Sequence, residues 1–483
     1  MLRQRKRYVY IEGEWRHALS GRTFDSINPA TGELLGAVPD GDRDDARAAI
    51  DAAAAALPGW RAKTAYERAD VLIEAHRLML ERRDDLATLM TREQGKPLRM
   101  ARTEVGYAAD FLLWFAEEAK RVYGEVIPSA RADQRFLVLQ QPVGVCAAIT
   151  PWNYPISMIT RKIAPALAAG CTSVLKPAEQ TPLCAIATFG VFADAGVPPG
   201  VVNLVTCSDP EPVAAEILGD STVRKISFTG STDVGKLIAA RAGQTMKRVS
   251  MELGGHAPFL VFADADPEHA AKGAALVKFL NTGQACICPN RFIVHRSIAE
   301  PFLATLRARV EKLVPGDGLR KDTTVGPLID DTAIEKMERQ VTDATSRGAQ
   351  VVLGGTRLRG PGFDGGCFFA PTILSDVRAD MLICAEETFG PIAPVMVFDE
   401  EAEAIELANA TSYGLAGYIY TRDISRAIRV AEALDFGMIG INDINPTSAA
   451  VPFGGIKESG LGREGARAGL SEYLDTKVLG IAI

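Results

Sequence analysis

The sequence predicts an α/β protein with two parallel-sheet domains and a small β arm. Short β-rich runs recur at helix-length intervals from residue 143 onward, the pattern of βαβ units. At 483 residues and 47% hydrophobic content, the chain is too long for one compact domain and can bury a large core. Two strand-like segments, 125–141 and 474–483, stand outside the alternation and suit pairing between subunits.

The first quarter reads as helical. Residues 40–57 are Ala-rich behind an Asp-rich turn, so a capped helix is expected. Residues 66–94 place Leu72, Ile73, Leu78, Met79, Leu86, Leu89 and Met90 at helical spacing, and a third helix is expected over 102–122. Strands are then expected at 143–149, 172–175, 201–205, 225–229 and 258–262, with helices at 159–169, 183–195 and 212–219 between them. A helix at 272–280 precedes a second strand series at 291–295, 351–353, 392–398, 416–420 and 438–442. This divides the chain into a dinucleotide-binding domain (1–122 and 143–254), a catalytic domain (255–460) and an oligomerisation arm with the C-terminal tail (123–142 and 461–483).

Composition excludes several function classes. The net charge is −7, which gives no global attraction to nucleic acid or an anionic membrane. The one basic run, Arg3, Arg5, Lys6 and Arg7, reads as a solvated terminus. No apolar run reaches the roughly 18 residues of a membrane span. The stretch after the basic run is broken by Glu12, Gly13 and Glu14 and lacks the apolar core of a signal peptide, so a cytoplasmic location is expected. Eight cysteines in a chain of this length are not a disulfide framework, and no His/Cys cluster has metal-ligand spacing, so no metal is expected.

Five strand-end motifs carry chemistry. Thr282-Gly-Gln-Ala-Cys286 follows a helix and puts a cysteine on a loop, where a nucleophile is accessible. Glu252, in Met-Glu-Leu-Gly-Gly, is a carboxylate that burial could turn into a general base. Asn153, between Pro151 and Pro155, is a rigidly held amide donor suited to an oxyanion. Gly230-Ser231-Thr232 to Gly235 is a turn and helix start, where Ser231 or Thr232 caps the helix and free N–H groups can hold a pyrophosphate. Lys176 and Glu179, after a strand, can clamp a ribose.

Taken together these motifs resemble the aldehyde dehydrogenase superfamily over essentially the whole chain. The matching stretches are Pro-Trp-Asn-Tyr-Pro (151–155), Lys-Pro-Ala-Glu (176–179), Phe-Thr-Gly-Ser-Thr-x-x-Gly (228–235), Glu-Leu-Gly-Gly (252–255), Gly-Gln-x-Cys (283–286), Glu-Glu-Thr-Phe-Gly-Pro (386–391) and Pro-Phe-Gly-Gly (452–455). The resemblance implies an aldehyde dehydrogenase-like fold and oxidation of an aldehyde through a thioester on Cys286. Asn153 and the Cys286 N–H would hold the oxyanion, Lys162 would support that region, and Glu252 would activate the hydrolytic water. It assigns Trp152, Lys176, Glu179, Gly230, Ser231, Gly235, Glu387 and Phe389 to the cofactor. NAD is favoured over NADP, because the Glu179 carboxylate bonds a ribose diol and repels a 2′-phosphate. A homodimer or homotetramer is implied.

Within the superfamily the chain resembles the succinate-semialdehyde dehydrogenase branch, through Met-Ile-Thr-Arg-Lys (158–162), Cys-Ile-Cys-Pro-Asn-Arg (286–291) and Lys-Glu-Ser-Gly-Leu-Gly-Arg-Glu-Gly (457–465). That likeness implies that Arg161 and Ser448 bind a distal carboxylate. An arginine expected six positions before the nucleophile is Leu280 here. A 2-oxoglutarate-semialdehyde or a less polar aldehyde is therefore also open. So are two more distant readings, a CoA-acylating dehydrogenase and a non-catalytic family member. Cys288 is a redox candidate. In an extended chain it would share a face with Cys286, the expected more acidic thiol, close enough for a reversible disulfide. Otherwise it is a small apolar residue packing the strand.

Overall fold

The computed structural model describes residues 8–483; the basic run at residues 3–7 lies outside them. The first sheet runs in the order β19 (Gly460–Leu461), β11 (Arg248–Glu252), β10 (Val223–Thr229), β7 (Val145–Ile149), β8 (Thr172–Lys176), β9 (Val202–Leu204), β1 (Val9–Ile11), β2 (Glu14–Arg16). Its middle five strands are parallel. The second sheet runs β14 (Gln350–Leu353), β15 (Thr372–Ser375), β16 (Ile392–Phe398), β13 (Pro289–His295), β12 (Ala257–Val261), β17 (Ala416–Tyr420), β18 (Met438–Ile441). All but β14 run parallel in it. A hairpin of β3 (Thr23–Ile27) and β4 (Leu34–Pro39) stands apart. The fold is thus the expected α/β arrangement with two parallel sheets. Their central strands are fully buried, as sheets covered on both faces require.

The arm is a third sheet. β5 (Glu125–Ile127) and β6 (Gln134–Pro142) form a hairpin. The C-terminal β20 (Leu474–Ala482) pairs antiparallel with β6 along its full length, from Leu474↔Pro142 to Ala482↔Gln134. The two segments expected to pair between subunits therefore pair with each other, and the outer edges of β5 and β20 stay open.

Helix boundaries depart from the sequence reading where burial intervenes. The first helix is Arg43–Ala62, with Asp42 and Asp45 forming a capping box. It continues past Pro58 because Trp60 is buried and donates through Nε1 to the Leu167 carbonyl at 3.2 Å. Residues 66–94 are two helices, Ala65–Glu81 and Arg83–Gln94, broken at Arg82, which pairs with Asp194. The third helix starts earlier than expected, at Leu98, directly after Pro97. Among the described residues no helix is long and apolar enough to cross a membrane.

Candidate active site

In the first sheet the chain runs outward from β7 through β8 and β9, then returns to place β10 on the other side of β7. That reversal opens a crevice at the carboxyl ends of β7 and β10, where α/β sheets bind ligands. Asn153 follows β7, Gly230 follows β10, Lys176 ends β8 and Glu252 ends β11. In the second sheet the candidate residues lie at the opposite ends of the strands. Cys286 precedes β13, Glu387 and Phe389 precede β16, and Gly255 precedes β12. The site is thus the seam between the carboxyl edge of one sheet and the amino edge of the other.

Cys286 is half-buried on the loop after the helix Pro267–Phe279. The chain reverses there through three successive left-handed residues, Asn281 (φ 47°), Thr282 (φ 59°) and Gly283 (φ 74°). Thr282 Oγ1 donates to the Gly326 carbonyl at 3.1 Å. Gln284 Nε2 donates to the Asn281 and Pro327 carbonyls, and its Oε1 accepts from Ile329 N. Desolvation pushes the Cys286 thiol well above its ordinary value, and Glu252 adds to the rise.

Asn153 is buried, and its amide donates to the Gln284 carbonyl at 3.1 Å, which leaves a second amide hydrogen for a ligand. The Cys286 N–H has no acceptor among the described residues. Glu252 is 2% exposed; among the described residues no N–H or O–H donates to its carboxylate, and the Cys286 thiol lies within hydrogen-bonding reach of it. Burial pushes its pKa up to about 7, Glu464 adds to the rise, and Arg161 and Lys162 oppose it. A buried carboxylate beside a thiol, with a pKa near neutrality, is able to exchange a proton with it at neutral pH.

Lys162 does not reach the Asn153 amide. Its ammonium pairs with Glu464 and donates to Ser227 Oγ at 3.3 Å. Arg161 is 3% exposed. It donates to Tyr107 Oη at 3.1 Å and pairs with Glu464 at 3.5 Å, while Phe453 covers its face at 4.2 Å. Its Nε remains unpartnered. Burial works to raise the Glu464 pKa, but Lys162 and then Arg161 outweigh it and hold the carboxyl below its usual range. Glu464 was not singled out in the sequence, although it lies inside the 457–465 motif. That motif forms β19, whose Gly460 pairs with Glu252, and so delivers Glu464 to the two cations.

The cofactor candidates line the same seam. Trp152 and Phe389 meet edge to face at 5.5 Å. Glu387 accepts from Gly255 N at 2.9 Å, and burial pushes its pKa up to about 7. Ser231 occupies the N-cap of the helix Thr232–Gly243, but its side chain makes no capping bond. Thr232 does not cap either, because its hydroxyl is drawn to the Glu458 carbonyl at 3.3 Å. The first N–H groups of this helix thus lack a side-chain cap and face the crevice. A Cβ at Gly230 would sit 2.4 Å from the Phe228 ring, and one at Gly235 would sit 2.3 Å from Leu253, so both turns need glycine for close packing. Lys176 pairs with Glu179. An uncapped helix start, an aromatic slot and two carboxylates at sheet ends fit a dinucleotide. Among the described residues no cluster of three or more His, Cys, Asp or Glu is placed to hold a metal.

The extended geometry expected between Cys286 and Cys288 is not what the chain adopts. Residues 285–288 form a turn, with Cys288 N bonded to the Ala285 carbonyl, so the two cysteines do not share a strand face. The Cys288 thiol is buried and points to the Lys278 carbonyl at 3.5 Å. Burial raises the pKa of both thiols; Glu252 adds to the rise at Cys286, and Lys278 opposes it at Cys288. Ser448 lies exposed on the loop after β18, and its hydroxyl accepts from Ala450 N at 3.2 Å. Leu280 is the C-cap of the helix Pro267–Phe279 and is 41% exposed.

The family model of the aldehyde dehydrogenase family matches residues 15–479. The chain belongs to the aldehyde dehydrogenase family. It is 51% identical to the succinate-semialdehyde dehydrogenase [NADP(+)] of Escherichia coli, over 99% of this chain and 98% of that one. It is also 51% identical to the glutarate-semialdehyde dehydrogenase of Pseudomonas putida, with the same coverage of each. The crystal structure of succinate-semialdehyde dehydrogenase from Burkholderia pseudomallei superposes with a TM-score of 0.97 at 48% identity, covering 99% of both chains. The protein is accordingly an NAD(P)-dependent oxidoreductase with the aldehyde dehydrogenase fold.

The raised pKa of Glu252 predicts a pH-dependent stability effect. A carboxyl whose pKa rises from 4.5 to about 7 on folding stabilises the fold while protonated, and that stability is lost as pH climbs through this window. Glu252→Gln does not titrate, so its stability should gain on wild type between pH 5 and 8 by up to about 3 kcal/mol. Urea unfolding at several pH values checks this; a gap that stays flat with pH would show that Glu252 ionises freely.

Proposed function

We propose that this enzyme oxidises a short carboxylated semialdehyde, of the succinate or glutarate semialdehyde class, to the diacid through a Cys286 thioester. The observation that carries the reading is the buried Glu252 carboxylate beside Cys286, on the seam that also holds the Asn153 amide. With a pKa of about 7, Glu252 takes the Cys286 proton. The thiolate attacks the aldehyde carbon, and the oxyanion accepts from the free Asn153 amide hydrogen and the Cys286 N–H. The bound nicotinamide supplies the hydride acceptor. Glu252 releases the Cys286 proton to solvent and then takes one from water; the hydroxide attacks the thioester, the Cys286 thiolate leaves, and the acid is freed. Glu464, held by Lys162 and Arg161, keeps a fixed negative charge near Glu252, so the base does not stay ionised when it should hold a proton. A base placed for hydrolysis argues against a CoA-acylating enzyme.

Cofactor residues are carried over from the resemblance. Ser231, Gly230 and Gly235 would cradle the pyrophosphate, Lys176 and Glu179 the adenosine ribose, and Glu387, Phe389 and Trp152 the nicotinamide end. Glu179 favours NAD, although its pairing with Lys176 softens repulsion of a 2′-phosphate, and the E. coli relative is named for NADP(+). The open edges of β5 and β20, with Val126 and Val478 exposed, suit association with a second copy as a homodimer or homotetramer. A cytoplasmic location fits this reading.

The test of the mechanism is kinetic. Cys286→Ser should abolish turnover with dinucleotide binding intact, while Glu252→Gln should slow every step that needs the base, deacylation most. Near-normal steady-state turnover in either variant would sink the mechanism.

Leu280→Arg tests the substrate class. Restoring a cation on the exposed rim should lower KM for succinate semialdehyde about tenfold or more, with little effect on propanal, because a charge-assisted bond contributes roughly 1.5–3 kcal/mol. Equal effects on both aldehydes would favour a less polar substrate.

For the cofactor, Glu179→Ser should shift kcat/KM toward NADP about tenfold relative to NAD, as loss of one charged partner would. An unchanged ratio would remove Glu179 from the discrimination.

A further inference from the structure

We propose that Lys96 is a positioning residue for the oxyanion site: its buried ammonium sets the Asn153 loop against the nucleophile loop. This rests on the reading of Asn153 as the oxyanion donor. Lys96 ends the turn after the helix Arg83–Gln94, far from the motifs that named the active site, and is 1% exposed. Its Nζ donates to the Asn153 carbonyl at 2.7 Å, pairs with Glu104 and lies 4.0 Å over the Tyr154 ring. Asn281 Nδ2, in the nucleophile loop, donates to the same Asn153 carbonyl at 3.0 Å. The Asn153 backbone is therefore fixed from two sides, by Lys96 and by the loop that carries Cys286. Its side-chain amide is fixed in turn by the Gln284 carbonyl.

The Lys96 turn is itself wedged against that loop's support. A Cβ at Gly326 would meet the Gly95 carbonyl at 2.2 Å, and one at Gly95 would meet Pro327 at 2.5 Å. Gly326 and Pro327 are the same residues whose carbonyls hold Thr282 and Gln284. Glu104 extends the frame. It accepts from Ile156 N and Ser157 N and so caps the helix Ser157–Ala169, which lacks a cap of its own and carries Arg161 and Lys162. One buried ion pair thus sets the donor loop and the cationic helix relative to the nucleophile. Oxyanion geometry is sensitive at this level, since losing one donor typically costs about 10²–10³ in rate.

Removing one partner of a buried pair strands the other, so the variant that keeps the fold intact is Lys96→Met/Glu104→Gln, in which the amide oxygen introduced in place of the carboxylate retains the acceptor for the helix cap. Two cofactor-free reactions of Cys286 separate positioning from general damage. Acyl transfer from p-nitrophenyl acetate passes through a tetrahedral oxyanion, whereas alkylation by iodoacetamide does not. The double variant should release nitrophenol about tenfold more slowly or worse, with alkylation changed by less than about twofold. In an Asn153→Ala background the same two substitutions should cost less than about twofold, because the group they position is gone. An undiminished loss in that background, a parallel fall in alkylation, or unchanged acyl transfer would overturn the proposal. If Asn153→Ala alone acylates normally, the oxyanion reading fails first and the positioning role with it.

Discussion

The site depends on one close approach, that of Gly254 and Gly255 to the nucleophile loop and Glu387. A Cβ at Gly255 would lie 2.2 Å from the Cys286 carbonyl, and one at Gly254 would lie 2.9 Å from Glu387 Oε2. No side chain could stand at Gly255, so the backbone between β11 and β12 touches the backbone that leads into β13. This hand-over joins the two sheets edge to edge. It brings Glu252, which ends one sheet, beside Cys286, which begins the other. The same tightness dehydrates the seam, and dehydration explains why burial is the leading cause of the high pKa values of Glu252, Cys286 and Glu387 alike.

Dehydration would make Glu252 useless as a base if nothing opposed it. Arg161 and Lys162 supply the opposition from consecutive positions of one helix, and Glu464 absorbs part of their charge. Burial chiefly, and then Glu464, push the Glu252 pKa up, Arg161 and Lys162 pull it down, and it rests at about 7. Burying three charges is expensive, and the arrangement persists because each has a partner and the rings of Phe453, Phe111 and Tyr107 pack against the Arg161 guanidinium.

The strand alternation, the two sheets and the placement of the motif residues at strand ends were legible because each is local: β-rich runs bounded by turns, with the motifs just beyond them. Nothing local marks Glu464, Lys96 or Glu104. Glu464 meets Lys162 across 302 residues and Lys96 meets Asn153 across 57, so their roles exist only once the sheets are assembled. The backbone between Cys286 and Cys288 departs from its expected extended form for the converse reason. The spacing of the two cysteines fits a strand, but the turn closed by Cys288 N and the Ala285 carbonyl overrides the extended geometry before β13 begins. Trp60 carried its helix past Pro58 for a tertiary reason that no helical pattern contains.

The left-handed turn at Asn281–Gly283 shows how the fold retains a costly backbone. A non-glycine residue in that region costs about 1–2 kcal/mol, and two stand in sequence here. A glycine at 281 or 282 would relieve the strain but would remove the side chains that fix the loop. Asn281 bonds both Asn153 and Gln284, and Thr282 bonds Gly326. Gly283 is the position where no substitute fits, since a Cβ there would meet the Gly390 carbonyl at 2.1 Å. The turn is therefore strained where side chains are needed and glycine where space runs out. Its effect is to stop the helix short and swing Cys286 toward Glu252. The strain held by Asn281 and Thr282 thus brings about a change of chain direction between a buried helix end and the loop on which Cys286 lies beside Glu252.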